Sequence, residues 1–319
     1  MRRLEAHLGV SARRRFFDFA PDAVVHAGDP VGTVSGKRIM QDLLDPLAAA
    51  FPAGEERLDI LNAGDWNGDR WTASTGYIAG IFAKPLWGIP ATGHAAWLRF
   101  GRFDRWDNGR IAEIYLLFDL PDLMMQAGLW PGARPLGANR RAPPPATRDG
   151  VSMKEAPEDE SARSLALVEA MIGGLMRYDR RSLASMRMID FWTPDFWWYG
   201  PAVIGTFCGH ADYERGHQGP FLAAFPDRIG GDHKCRIGDG AYVASTGWPS
   251  IRATHTGGDW LGLAPTGRGV TMRVMDFWRR EGDRLSENWV FIDIPDLLRQ
   301  LGIDIFARLA ALQPAERRA

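Results

Sequence analysis

An offset of 174 residues (293 − 119) lays the stretch IDIPDLLRQLG (292–302) over FDLPDLMMQAG (118–128). The same offset carries Gly88 to Gly262, Arg99 to Arg273, Phe103 to Phe277, Glu113 to Glu287 and Gln126 to Gln300 without a gap. Upstream the match continues with small shifts: GTVSG (32–36) with GTFCG (205–209), AAFP (49–52) with AAFP (223–226), and ASTG (73–76) with ASTG (244–247). A repeat this long, present only twice, marks a duplicated domain; a solenoid needs three or more short units.

The 319 residues suit two domains of ordinary size. Between the copies, residues 131–161 are rich in Pro, Gly, Ala and charge and show no apolar periodicity, which is linker chemistry. The expected units are therefore 1–130, a linker over 131–161, and 162–319. Within the second copy, helical spacing covers 164–186 and a helix-like stretch runs over 210–225, broken at Gly219-Pro220. Strand patterns follow over 241–246, 250–255, 270–280 and 284–294, separated by Gly, Pro and Asp turns. Helices first and then a run of mostly antiparallel strands predicts an α+β fold, a curved sheet wrapped around helices with a conical cavity. The first copy has no obvious counterpart of the first long helix.

Charge excludes one class of partner. The net charge is -1 with acids and bases interspersed, so no basic field argues for nucleic acid, and Arg13-Arg14-Arg15 reads as solvated surface. No run of about 18 apolar residues predicts a membrane span, and the amino-terminal stretch lacks a signal-peptide core. With only Cys208 and Cys235, both read as reduced, the expectation is a cytoplasmic protein. Thirteen tryptophans exceed what a core of this size requires, and they tilt the reading toward large apolar cavities.

On the last strand, Glu287, Trp289, Phe291 and Asp293 share one face; the first copy repeats the pattern as Glu113, Tyr115, Leu117 and Asp119. Six residues of strand hold the two acids of each stripe roughly 20 Å apart, too far to act as a carboxylate pair. A lone carboxylate against Trp and Phe has its pKa raised by desolvation, toward a value useful for proton transfer. Equally, Pro295 sits well in the first turn of a helix, so Asp293 or Asp296 serves as its cap. Glu287 reads as a strand-end or salt-bridged residue. Arg273 and Arg99 either hold an anionic or carbonyl oxygen or lie on the surface. His217, with Tyr199 and His210 not far off, either polarises a carbonyl or is a hydrogen-bonded wall residue. The spacing of His210 and His217 is not that of a zinc-protease pair, and no CxxC, phosphate-cradling loop, GxSxG or dinucleotide fingerprint occurs.

The segments YGPAVIGTFCG…HQGPFLAAFPDR (199–228) and RVMDFWRREGDRLSENWVFIDIPDLLRQLG (273–302) resemble the SnoaL-like polyketide cyclases of the NTF2-like superfamily. The first copy resembles them mainly through WDNGRIAEIYLLFDLPDLMMQAG (106–128). The resemblance implies two cone-shaped domains and cofactor-free, metal-free acid/base chemistry on a hydrophobic, polyketide-like carbonyl compound. It implies a carboxylate near the end of the last strand that moves a proton next to a carbonyl, matched here by Asp293 and, in the first copy, Asp119. Arg273, Tyr199 or His217 would stabilise oxyanion charge. The ligand-lining candidates are Tyr199, Trp198, Trp289 and Phe291, with Trp248, Tyr115 and His94. The superfamily also contains pure binding modules, so a non-catalytic small-molecule binder stands as the alternative. Uncovered sheet faces would favour domain–domain or homodimer packing.

Overall fold

A computed structural model describes residues 19–139, 141–152 and 154–313; the Arg13–Arg15 triplet and the region that would precede the first copy's strands lie outside them. The first copy contains β1 (Phe19–Ala27), β2 (Thr33–Ser35), a π-helical turn (Ile39–Leu44) running into α1 (Asp45–Ala50), and four long strands. These are β3 (Glu55–Trp66), β4 (Asp69–Ile81), β5 (Ala95–Asp107) and β6 (Arg110–Phe118), closed by α2 (Leu120–Gln126). The second copy opens with α3 (Glu158–Leu175) and continues through β7 (Trp192–Tyr199), β8 (Thr206–Cys208), α4 (Gly209–Tyr213), a π-helical stretch (Glu214–Gln218) and α5 (Gly219–Ala224). Then come β9 (Ile229–Gly230), β10 (His233–Asp239), β11 (Tyr242–Thr254), β12 (Gly269–Glu281), β13 (Arg284–Ile292), α6 (Ile294–Gln300) and α7 (Ile305–Leu312).

The sheet orders are β2-β1-β6-β5-β4-β3 and β8-β7-β13-β12-β11-β10, the same topology written twice. Long hairpins make both sheets mostly antiparallel, while β1 on β6 and β7 on β13 run parallel. The fold is thus α+β. Two details depart from the patterning. The expected break near 247–249 is a bulge inside one strand, where pairing with β12 skips from Gly247 to Ile251 around Pro249, which has no N–H to donate. The first helix stops at Leu175 and not near 186, and Leu183–Met186 forms a separate 3₁₀ turn, preceded by Arg180 at φ +64° and ended by Arg187 at φ +54°.

The two sheets pack face to face. Ile60, Trp71, Phe103, Tyr115 and Leu117 of the first copy close on Ile237, Ala244, Met275, Phe277, Trp289 and Phe291 of the second in one buried apolar layer. Phe103 and Phe277, equivalent in the repeat and both fully buried, meet with ring centroids 5.5 Å apart, so the pseudo-twofold axis passes between them. Gly101 stands beside this contact because a Cβ there would come within 2.9 Å of the Phe291 ring.

The described residues of 131–157 run along this interface as a strap. Gly137 N–H donates to Ile204 O (2.7 Å), Trp289 Nε1 to Pro143 O (2.8 Å), Tyr77 Oη to Ala142 O (3.0 Å) and Leu61 N–H to Gly150 O (2.8 Å). Among the described residues no helix is long and apolar enough to cross a membrane.

Candidate functional site

Which face of each strand looks into the cone decides the site. On β12, Met272, Val274, Asp276 and Trp278 line a cavity of about 210 Å³ inside the second domain, and Asn288, Val290 and Ile292 of β13 continue its wall. The stripe expected to face the cavity is on the opposite side: Trp289, Phe291 and Tyr199, with Tyr115 of the first copy, are buried in the layer between the sheets. Trp248 packs against that layer from its edge, and His94 is exposed in the turn before β5. The reason lies in the strand itself. Eight of the nine residues of β13 are buried, so both faces are apolar and alternation alone cannot say which one is concave.

Asp293 and Asp119 occupy equivalent places at this interface. Asp293 accepts from Asp296 N–H (3.3 Å), capping α6, and from Asp29 N–H of the other domain (3.1 Å), and pairs with Arg273 Nη1 (2.9 Å). Asp119 accepts from Asp122 N–H (3.3 Å), capping α2, and from Ala202 N–H across the interface (2.8 Å). Arg99 reaches across to Gly200 O (2.8 Å) and Tyr199 O (3.2 Å) and covers the Phe291 ring; Arg273 lies over Trp248. Burial pushes the Asp293 carboxyl up to about 6 despite Arg273 beside it. Burial also raises Asp119. Glu287 is salt-bridged to Arg279. Its counterpart Glu113 is held down to about 2 by hydrogen bonds, first from His26 and then from Tyr115 and Arg105.

This geometry gives Asp293→Ala a defined outcome. It removes a helix cap and strands the Asp29 N–H, so stability falls by about 1–3 kcal/mol in urea unfolding. Turnover, measured well below the melting temperature, stays within about threefold, because the side chain is not on the cavity wall.

Of the expected site residues, His217 and Trp198 do meet in the cavity. The π-helical stretch delivers His217 against Trp198, with ring centroids 4.2 Å apart and planes at 23°. Burial alone drives the His217 pKa down to about 3, so the ring is neutral, and its Nδ1 is buried without a partner. Beside it, Gln218 has both amide atoms buried and unpartnered. Tyr213 completes this wall, its phenol pushed up by burial and by the nearby Asp276.

Asp276 is the residue the sequence reading passed over. It sits deep in the domain yet opens on the cavity, accepting one hydrogen bond from Asn288 Nδ2 at 3.3 Å. Burial pushes its carboxyl up to about 7, with Asn288 and the charge of Arg236 opposing. The repeat offset held the signal: Asp276 aligns with Arg102 and Asn288 with Ile114. In the first domain Arg102 is locked to Asp104 at 2.6 Å, and the corresponding cavity, lined by Leu43, Phe100 and Phe118, is about 40 Å³. Among the described residues no three His, Cys, Asp or Glu side chains group so as to hold a metal ion.

The molecule is therefore a pair of α+β cones joined back to back, one open on a polar-floored cavity and one nearly filled. Residues 179–301, within the second cone, match the family model of SnoaL-like polyketide cyclases, and the first cone repeats the sheet topology of the second. Solved structures similar to the chain include AclR from Streptomyces galilaeus, 28% identical over 44% of this chain and 97% of that one, with a TM-score of 0.36. IdmH from Streptomyces antibioticus is 23% identical over 46% and 100%, with a TM-score of 0.33. An NTF2-like protein from Burkholderia xenovorans is 15% identical over 44% and 97%, with a TM-score of 0.33. No curated protein matches the chain.

Proposed function

We propose that the second domain is a cyclase- or isomerase-type enzyme that moves protons next to a carbonyl group of a hydrophobic, polyketide-like compound, with the first domain as its support. The observation that carries this reading is a single carboxylate, poised to ionise near neutrality, on the floor of a mostly apolar, aromatic cavity. Asp276 takes the proton from the carbon beside the carbonyl, and the C–H electron pair becomes an enolate. Neutral His217, or Tyr213, donates a hydrogen bond to the enolate oxygen. In a ring closure the enolate carbon attacks a second carbonyl of the same molecule, and the new alkoxide recovers the proton from Asp276. In an isomerisation the proton returns to a different carbon.

The Arg102–Asp104 pair and the filled first cavity support assigning the chemistry to the second domain alone. The test is proton exchange. In deuterated buffer at pH 8 the protein should catalyse deuterium incorporation into the methyl group of 2-acetonaphthone, followed by NMR. Binding of the ketone without exchange favours the alternative of a non-catalytic small-molecule binder.

A further inference from the structure

We infer that the second-domain cavity takes a compound carrying an ionised carboxylate, held by Arg228 at the cavity wall; this rests on, and narrows, the proposal above. Arg228 follows Pro226 at the end of α5 and lines the cavity on the side of Met176 and Ile229, two exposed apolar residues of that wall. Its Nη2 donates to Leu175 O at 2.7 Å. The guanidinium's other hydrogen-bonding contacts are the soft sulfurs of Met176 (3.7 Å) and Met186 (3.9 Å). Among the described residues no carboxylate lies within ion-pair distance of it. Burial accordingly works against its charge.

A guanidinium presents five donors in a planar fork that matches a carboxylate, and a half-buried one without a counter-ion is expensive to maintain. A second arginine, Arg236, lies close by, ion-paired to Glu169 at 3.8 Å. Arg236 stands behind Ser245, bonded to its Oγ at 3.3 Å, and His233 lines the cavity next to it. The one acid on the cavity wall, Asp276, is answered by Arg236 and Asn288 and leaves Arg228 uncompensated. The first domain shows the opposite solution. Its cavity arginine, Arg102, has an internal carboxylate partner, and its cavity is nearly closed. An unpaired arginine in the open cavity and a paired one in the filled cavity point to an anion supplied by the ligand.

The experiment is calorimetric titration of the full chain at pH 8 with 2-naphthoate and with methyl 2-naphthoate, whose shapes are similar and whose charges differ. Wild type should bind the acid at least about tenfold more tightly than the ester. Arg228→Met, which keeps the apolar stem, should bring the two within about twofold without loosening the ester. Arg228→Lys should keep part of the preference, and it decides the matter if the Met variant does not fold, because losing the fork must then cut the preference several-fold. An ester bound as tightly as the acid, or a preference that survives loss of the guanidinium, overturns the inference and leaves the cavity proposal standing. Failure of wild type to bind either probe overturns both.

Discussion

Asp276→Asn should lower turnover by about a thousandfold while leaving ligand affinity within a few-fold, the signature of a lost general base in a cavity whose shape is unchanged. The same substitution should make the protein more stable. In wild type the folded state holds the Asp276 proton up to about pH 7, whereas the unfolded chain releases it near the ordinary aspartate value of 3.8. Between those values the folded state binds more protons than the unfolded one, so this group's contribution falls as pH rises from about 4 to about 7 and is flat above. An amide pays no such penalty. At pH 8 the variant should gain roughly 2–4 kcal/mol, read from urea midpoints. Activity lost with stability gained is what an active-site carboxylate held against its solvation preference predicts. A purely structural Asp276 would give a loss of stability instead.

The second large effect lies on the pseudo-twofold axis. Phe277→Ala removes a fully buried ring from the layer between the sheets and should cost about 3–5 kcal/mol. Phe103→Ala should cost a similar amount, since the two rings touch and occupy equivalent places. Because each loses the other as a partner, the double variant should lose less than the two single losses added together, by about 0.5–3 kcal/mol. Chemical denaturation of the four proteins measures this directly. Losses below about 1 kcal/mol, or strict additivity, would mean that the sheets do not close on each other in solution.

Much of this architecture was legible without coordinates. The offset that pairs Phe103 with Phe277 and Asp119 with Asp293 revealed the duplication, and the helix-then-strand order revealed the α+β class, because repeat identity and period-two patterning survive in the chain itself. His217 was legible as a candidate oxyanion group and Trp198, separately, as a candidate ligand-lining residue. What misled was the stripe of Trp289 and Phe291. Its aromatic character is that of an interior, but this interior is the seam between two sheets and not the pocket. A strand buried on both faces carries no mark of which face is concave. Duplication added to this, since sheet faces that other proteins expose or pair between chains are covered here by the chain's own second copy. The cap at Asp293 was visible from Pro295, whereas its second bond, to Asp29 of the other domain, joins residues too far apart in sequence for any local pattern to register.

In the proposed function, copy-to-copy differences are the better guide to chemistry than copy-to-copy identities. Asp119 and Asp293 are the same because they serve the same symmetric contact. Arg102 and Asp276 differ because one floor is sealed and the other is open.

The most direct test sets three proteins side by side in the deuterium-exchange assay with 2-acetonaphthone across pH 5 to 9. Wild type and Asp293→Ala should show exchange that rises with pH and levels off above about 7, following ionisation of Asp276. Asp276→Asn should show only the background rate at every pH. Full exchange by Asp276→Asn, with loss in Asp293→Ala, would contradict the account and move the base to the interface between the domains.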